Sequence, residues 1–162
     1  MVDIHPAVRA VLHGLEQARE DLLSWTADLD EAEMWATPHQ LSPVGFQLRH
    51  IAGSIDRLLT YADGEELNEA QLAELRGEMT AVSTAQEVRA FAMERLLDAD
   101  KRVRGFDPAR LEEPRWVGKK RLPTTLAALL IHTSEHTQRH VGQIIITVRL
   151  LRGLRSVGEK KL

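Results

Sequence analysis

The segment LAALLIHTSEHTQRHVGQIII, residues 126–146, decides how this chain folds. Its ends, residues 126–131 and 144–146, are continuous apolar runs. Between them lies a polar block holding His132, His136 and His140. No proline interrupts the segment, and its residues are mostly good helix formers. It therefore reads as one long helix, starting at Thr124 or Thr125 and running to about Leu151, with Gly153 after it. The longest apolar run, residues 126–131, is far short of the roughly 20 residues that span a bilayer.

Three further segments carry the same period. From about residue 5 to residue 29, Val8, Val11, Leu12, Leu15, Ala18, Leu22 and Leu23 recur at spacings of three and four. Ser42-Pro43 reads as an N-cap followed by proline at the first helical position. A second helix follows, with Val44, Leu48, Ile51, Ile55, Leu58, Leu59 and Ala62 in one stripe, closed by Asp63-Gly64. Thr84 and Glu87 form a capping box for a third helix, which carries Val88, Phe91, Ala92, Leu96, Ala99 and Val103 and ends near Gly105. The connection from Glu65 to Val82 is long, and Asn68 caps a short helix within it, over residues 69–76. That length lets the chain cross the bundle instead of returning by a tight hairpin. Residues 107–123 read as a loop, and no segment reads convincingly as a strand.

Four amphipathic helices hide four apolar stripes most simply as a bundle. The expected fold is therefore all-α, a four-helix bundle with a long connection between its second and third helices. A chain of 162 residues fits one domain, residues 1–162, with residues 152–162 expected to form a flexible basic tail.

Composition narrows the chemistry. The chain has no cysteine, so disulfides, thiolate metal ligands and a cysteine nucleophile are excluded. Residues 1–6, MVDIHP, lack a basic region followed by an apolar run, which speaks against a secretory signal and for a cytoplasmic location. Net charge is −3. The basic clusters at residues 119–121 and 149–161 read as solvated surface, so neither nucleic acid nor membrane is expected as a partner.

The polar block in the last helix carries the functional signal. An unpaired imidazole buried there costs about 1–3 kcal/mol, which a purely structural helix has no reason to spend. Residues four apart sit about 6 Å along the axis and about 40° around it, close enough for two imidazoles to share one ion. Residues eight apart are about 12 Å apart along the axis. The possible pairs are therefore His132/His136 and His136/His140. A third ligand must come from another helix, and His50 is the best candidate, beside the small residues Ala52, Gly53 and Ser54. His5 and His13 flank the start of an exposed helix, and His39 sits in a loop. Glu135 and Gln143 are candidates to orient imidazoles. Arg49 and Arg139 adjoin ligand candidates and are placed to hold an anionic group or to form surface ion pairs. Trp25, Trp35 and Trp116 read as core or loop anchors.

Residues 44–52, VGFQLRHIA, and 134–144, SEHTQRHVGQI, resemble the second and last helices of the DinB-like superfamily, in which a histidine is followed four residues later by His-x-Gly-Gln. The helix order is similar too. The resemblance implies a bundle with a three-histidine site, often dimeric. Carried over by position, it selects His50, His136 and His140 as metal ligands and leaves His132 outside. Where the family commonly has an arginine after the last ligand, this chain has Val141, and Arg139 stands before it instead. Some members are metal-dependent S-transferases using bacillithiol or mycothiol. The resemblance thus points to a divalent ion, zinc or nickel, a low-molecular-weight thiol, a small electrophile as substrate, and a homodimer. A metal-dependent hydrolase and a non-catalytic metal-binding stress-response protein are the alternatives.

Overall fold

The computed structural model describes residues 4–81 and 83–159, with backbone alone for residues 158 and 159. Residues 1–3, part of the N-terminal stretch that speaks against a secretory signal, Val82, and residues 160–162, the end of the expected basic tail, lie outside the described residues. The elements are α1 (Pro6–Thr26), α2 (Glu31–Met34), α3 (Val44–Asp63), α4 (Glu69–Gly77), α5 (Ala85–Gly105), a hairpin of β1 (Pro114–Val117) and β2 (Leu122–Thr125), and α6 (Leu126–Glu159).

The four long helices form a square in which α1 and α3 each pack against both α5 and α6. Side-chain contacts fix the directions. Arg102 reaches Asp56 and Asp63 while Arg49 bonds Thr80 just before α5, so α3 and α5 run parallel. Gln47 meets Gln143 and His50 meets His136, so α3 and α6 run antiparallel. Gln138 reaches the Gly14 carbonyl and Arg152 that of Trp25, so α1 and α6 run parallel. The order is up–down–down–up. Two parallel neighbours need a connection that recrosses the bundle, and α4 lies along that path against α3.

The core is aliphatic. Leu12, Leu15 and Leu22 of α1, Leu48, Ile51, Ile55 and Leu59 of α3, Val88, Leu96 and Val103 of α5, and Leu126, Leu130, Ile144 and Val148 of α6 are all buried. In the polar block of α6 the buried positions are Thr133, Thr137 and Val141. Thr133 and Thr137 each donate a hydroxyl to the carbonyl four residues back, at 2.8 and 2.7 Å, so neither leaves an unpaired polar group in the core.

The expected cap at Asn68 and the expected capping box at Thr84 are both present; the Asn68 cap is itself a full box with Gln71, and each box satisfies two free helix-end amides. Gly64 closes α3 in the left-handed conformation, φ 89°, which a side chain would strain.

Several expectations are corrected. The first helix stops at Thr26, and Asp30 starts the separate short helix α2 with its own capping box. Leu23 is exposed, because the buried stripe of α1 passes through Leu22 instead. Pro43, not Ser42, occupies the N-cap of α3, in an extended conformation with no side-chain cap. The presumed loop after Asp107 contains the antiparallel hairpin, turning at Gly118 (φ 67°). Buried Arg115 of β1 pins it to the bundle by donating Nε to the Ala62 carbonyl at 2.6 Å. The last helix passes through Gly153 to residue 159, where a flexible tail was expected. Side-chain contacts with the end of α1, the turn after it and α2 hold it there. Arg152 and Arg155 bind Asp28, Arg155 also binds Glu33, and the Arg149 and Arg152 guanidinium groups lie over the Trp25 ring. Arg152, with help from Arg155, holds the Asp28 carboxyl down at about 2.

Candidate metal centre

His50 lies in the second turn of α3, and His136 and His140 lie one turn apart on antiparallel α6. The three side chains converge. One ring nitrogen from each lies within 4.8 Å of the others. The His50 and His136 Nε2 atoms are 3.1 Å apart. The ring centroid of His140 is 4.5 Å from each of the other two. Nitrogens about 2.0–2.1 Å from a shared ion lie about 2.9–3.4 Å apart for bond angles of roughly 90–109°. The observed 3.1 Å separation falls inside that range.

Polar partners on the outer side of two rings turn their inner nitrogens toward the cluster. Nδ1–H of His50 donates to Glu78 Oε2 at 2.8 Å. Nδ1–H of His140 donates to Gln47 Oε1 at 2.5 Å, and Gln47 Nε2 donates in turn to Gln143 Oε1 at 2.8 Å. A ring that gives up its Nδ1 proton to a bond on one side presents an Nε2 lone pair on the other. This is the arrangement that orients histidine ligands.

Burial is the first reason that His136 and His140 resist protonation, and the neighbouring cationic groups add to it. Both are pushed down from 6.5 to about 4. Near neutral pH they are neutral bases with free lone pairs, the state that binds a metal.

This has a consequence for folding. In the metal-free protein the unfolded imidazoles take up protons below about 6.5 while the native ones stay neutral down to about 4. Since the unfolded chain then binds more protons, native stability rises with pH from about 4 to about 6.5 and gains nothing further from these groups above that. Urea melts of chelator-treated protein at pH 4.5, 5.5 and 7.5 check this. Replacing His140 by Gln removes about half of the histidine contribution to that slope.

The other candidates fall outside. His132 is nearly half exposed, bonds Glu135 through Nδ1 at 3.2 Å, and keeps its ring 5.5 Å from that of His136. His5 caps α1 through Nδ1, and His13 and His39 are exposed. Glu135, a candidate either to orient a ligand or to stand as a solvated surface group, pairs with His132 and Arg139 on the exposed face of α6. Gln143 does support the cluster, but through Gln47. Arg49 donates to the Thr80 carbonyl at 2.5 Å. Arg139 lines a cleft of about 500 Å³ beside His140, with Leu41, Gln47, Gln143 and Ile146. Trp35 packs against the α3 backbone at Gly45, where a Cβ would come within 2.9 Å of its ring. Trp116 is exposed under Arg121.

Sequence reasoning missed Glu78 and Gln47. Gln47 stands three residues before His50, a helical neighbour whose register was readable. Glu78 sits 28 residues away in the connection, and no local pattern points to it.

No helix among the described residues is long and apolar enough to cross a membrane. No curated protein matches the sequence. Among solved structures, YfiT from Bacillus subtilis is 15% identical over 93% of this chain and 91% of that chain, with a TM-score of 0.66. It is described as a probable metal-dependent hydrolase with an unusual four-helix bundle topology. A conserved protein from Enterococcus faecalis (17% identical, 93% and 99% covered, TM-score 0.66) and a protein from Streptococcus pneumoniae (16%, 94% and 94%, 0.68) share the fold. The model for the DinB superfamily matches residues 14–144, and the chain belongs to that superfamily.

Proposed function

We propose that His50, His136 and His140 hold one divalent ion, zinc or nickel, and that the protein transfers the sulfur of a small thiol to electrophilic carbon. The observation that carries the metal is the convergence of three imidazole nitrogens, with the His50 and His140 rings already fixed by outer partners. Three neutral ligands leave a divalent ion its full charge and at least one open position, the pattern of a catalytic rather than a structural site. An ion there supplies a Lewis acid at which a bound thiol or water gives up its proton near neutral pH.

The protein's own groups favour thiol over water. Hydrolysis gains from a free carboxylate near the ion to take a proton from water. Glu135 is engaged with His132 and Arg139, and Glu78 is buried behind His50. A thiol starts from a much lower pKa and needs less help. The sulfur forms a bond to carbon, the leaving group departs with its electron pair, and the thiol proton passes to solvent. The cleft beside His140 offers Leu41 and Ile146 to an apolar body, and an anionic group there would take the Arg139 guanidinium in competition with Glu135.

Hydrolysis is the second reading, supported by the likeness to YfiT. Cobalt-substituted, tag-free protein separates the two. Titration with bacillithiol or mycothiol is expected to give a sulfur-to-cobalt absorption band and consumption of an electrophile. A thiol-silent spectrum with ester or amide cleavage selects the hydrolase, and failure to retain cobalt, zinc or nickel overturns the metal site itself.

A further inference from the structure

Behind His50 lies a compact charged group that the bundle has no packing reason to bury. Glu78, at the end of α4, is 3% exposed, and Arg57 of α3 is 8% exposed. One Glu78 oxygen accepts from His50 Nδ1–H at 2.8 Å. The other lies 2.8 Å from Arg57 Nη2, an ion contact without hydrogen-bond alignment. Burial pushes the Glu78 carboxyl up, but the His50 bond and the Arg57 charge outweigh it and hold the group ionised, below its ordinary range.

Gly53 makes the space. A Cβ there would meet Arg57 Nη1 at 2.6 Å, Glu78 Oε1 at 2.8 Å and Glu74 Oε1 at 2.9 Å. The small residue beside His50 thus clears room for the carboxylate behind the imidazole. A buried ion pair adds little stability over an apolar pair of the same shape, because desolvation offsets attraction. Its retention calls for another reason, and the His50 bond supplies one.

We propose that Glu78 is a positioning residue for the metal site. Its carboxylate, backed by Arg57, locks His50 in the Nδ1–H tautomer with Nε2 turned into the cluster, and places a negative charge behind that ligand. The inference rests on His50, His136 and His140 as the ligand set. Gln47 does the same for His140 without charge, so the two supports differ in kind. The charge makes the His50 nitrogen the more basic donor. It also gives the long connection a task. By recrossing the bundle, α4 delivers a carboxylate to the back of α3 that no residue within α3 supplies.

Two measurements on the full chain test this. In metal-free protein, ¹⁵N chemical shifts report the tautomer of His50. Wild type is expected as Nδ1–H, and Glu78→Ala as predominantly Nε2–H, a change that general loosening of the fold does not produce. Zinc and nickel affinities come from competition with a chromophoric chelator. Glu78→Ala is expected to weaken them about 10–100-fold. Because Glu78→Ala strands Arg57 and can unfold the chain, Glu78→Gln keeps the shape and removes the charge. It is expected to stay folded by circular dichroism and to bind about tenfold more weakly. An unchanged tautomer in Glu78→Ala, or affinities within twofold of wild type in folded Glu78→Gln, overturns the inference. Wild type that binds neither ion overturns the ligand assignment instead, and the tautomer measurement still decides the role of Glu78.

Discussion

His136→Ala loses its metal, while His132→Ala keeps it. Mass spectrometry of tag-free protein is expected to find about one ion per chain in wild type and in His132→Ala, and about a tenth of that or less in His136→Ala. Both residues have a histidine four positions away on α6, so spacing alone treats them alike. The structure does not. His136 brings Nε2 to 3.1 Å from that of His50 and packs its ring 4.5 Å from that of His140. His132 lies a turn further along, with its ring near only one member of the cluster and its Nδ1 occupied by Glu135. Losing one of three protein ligands removes a third of the donors and leaves too few to hold an exchangeable ion through purification. Equal losses in the two variants would mean that the ion sits between His132 and His136.

The helices were legible because their signals are local. A buried stripe repeats every three or four residues, and a cap such as Thr84 with Glu87 is complete within four residues. What was missed depends on distant partners. The tail beyond Leu151 looks like the end of a helix by its Gly153. Trp25, Asp28 and Glu33, more than 120 residues away, hold Arg152 and Arg155 against the bundle. The hairpin strands are four residues each, too short for a period, and one of them contains Pro123. Leu23 and Leu22 are equally apolar, and a rotation of α1 by one residue decides which is buried. The site divides the same way. Spacing gave two possible pairs on α6, and His50 stood out by its small neighbours, although Gly53 clears room for a carboxylate rather than for the ring. Helical register places Gln47 on the face of His50, but the bonds that matter run from Glu78 to His50 and from Gln47 to His140, over 28 and 93 residues, and periodicity does not pair residues so far apart.

Leu48→Ala is expected to separate folding from metal binding in the opposite sense to His136→Ala. Leu48 is fully buried on α3, one turn before Ala52 and adjacent to Gln47. Truncation leaves a cavity that a packed bundle closes only partly, so metal-free protein should lose about 2–5 kcal/mol in urea melts. Against a total of about 5–15 kcal/mol for a domain, that is a large fraction. The ligand nitrogens are untouched, so the variant still gains from metal. An ion at about 100 times its dissociation constant adds about 2.7 kcal/mol to the native state by mass action. Zinc or nickel should therefore return about 2.7 kcal/mol to Leu48→Ala, which offsets the smaller losses in that range fully and the larger ones by about half. His136→Ala should show the reverse, with a native-like melt that no added metal shifts. A loss below about 1 kcal/mol in Leu48→Ala would mean that the α3 stripe is not the packed core. Rescue of His136→Ala as large as that of wild type would place the stabilising ion somewhere other than on these histidines.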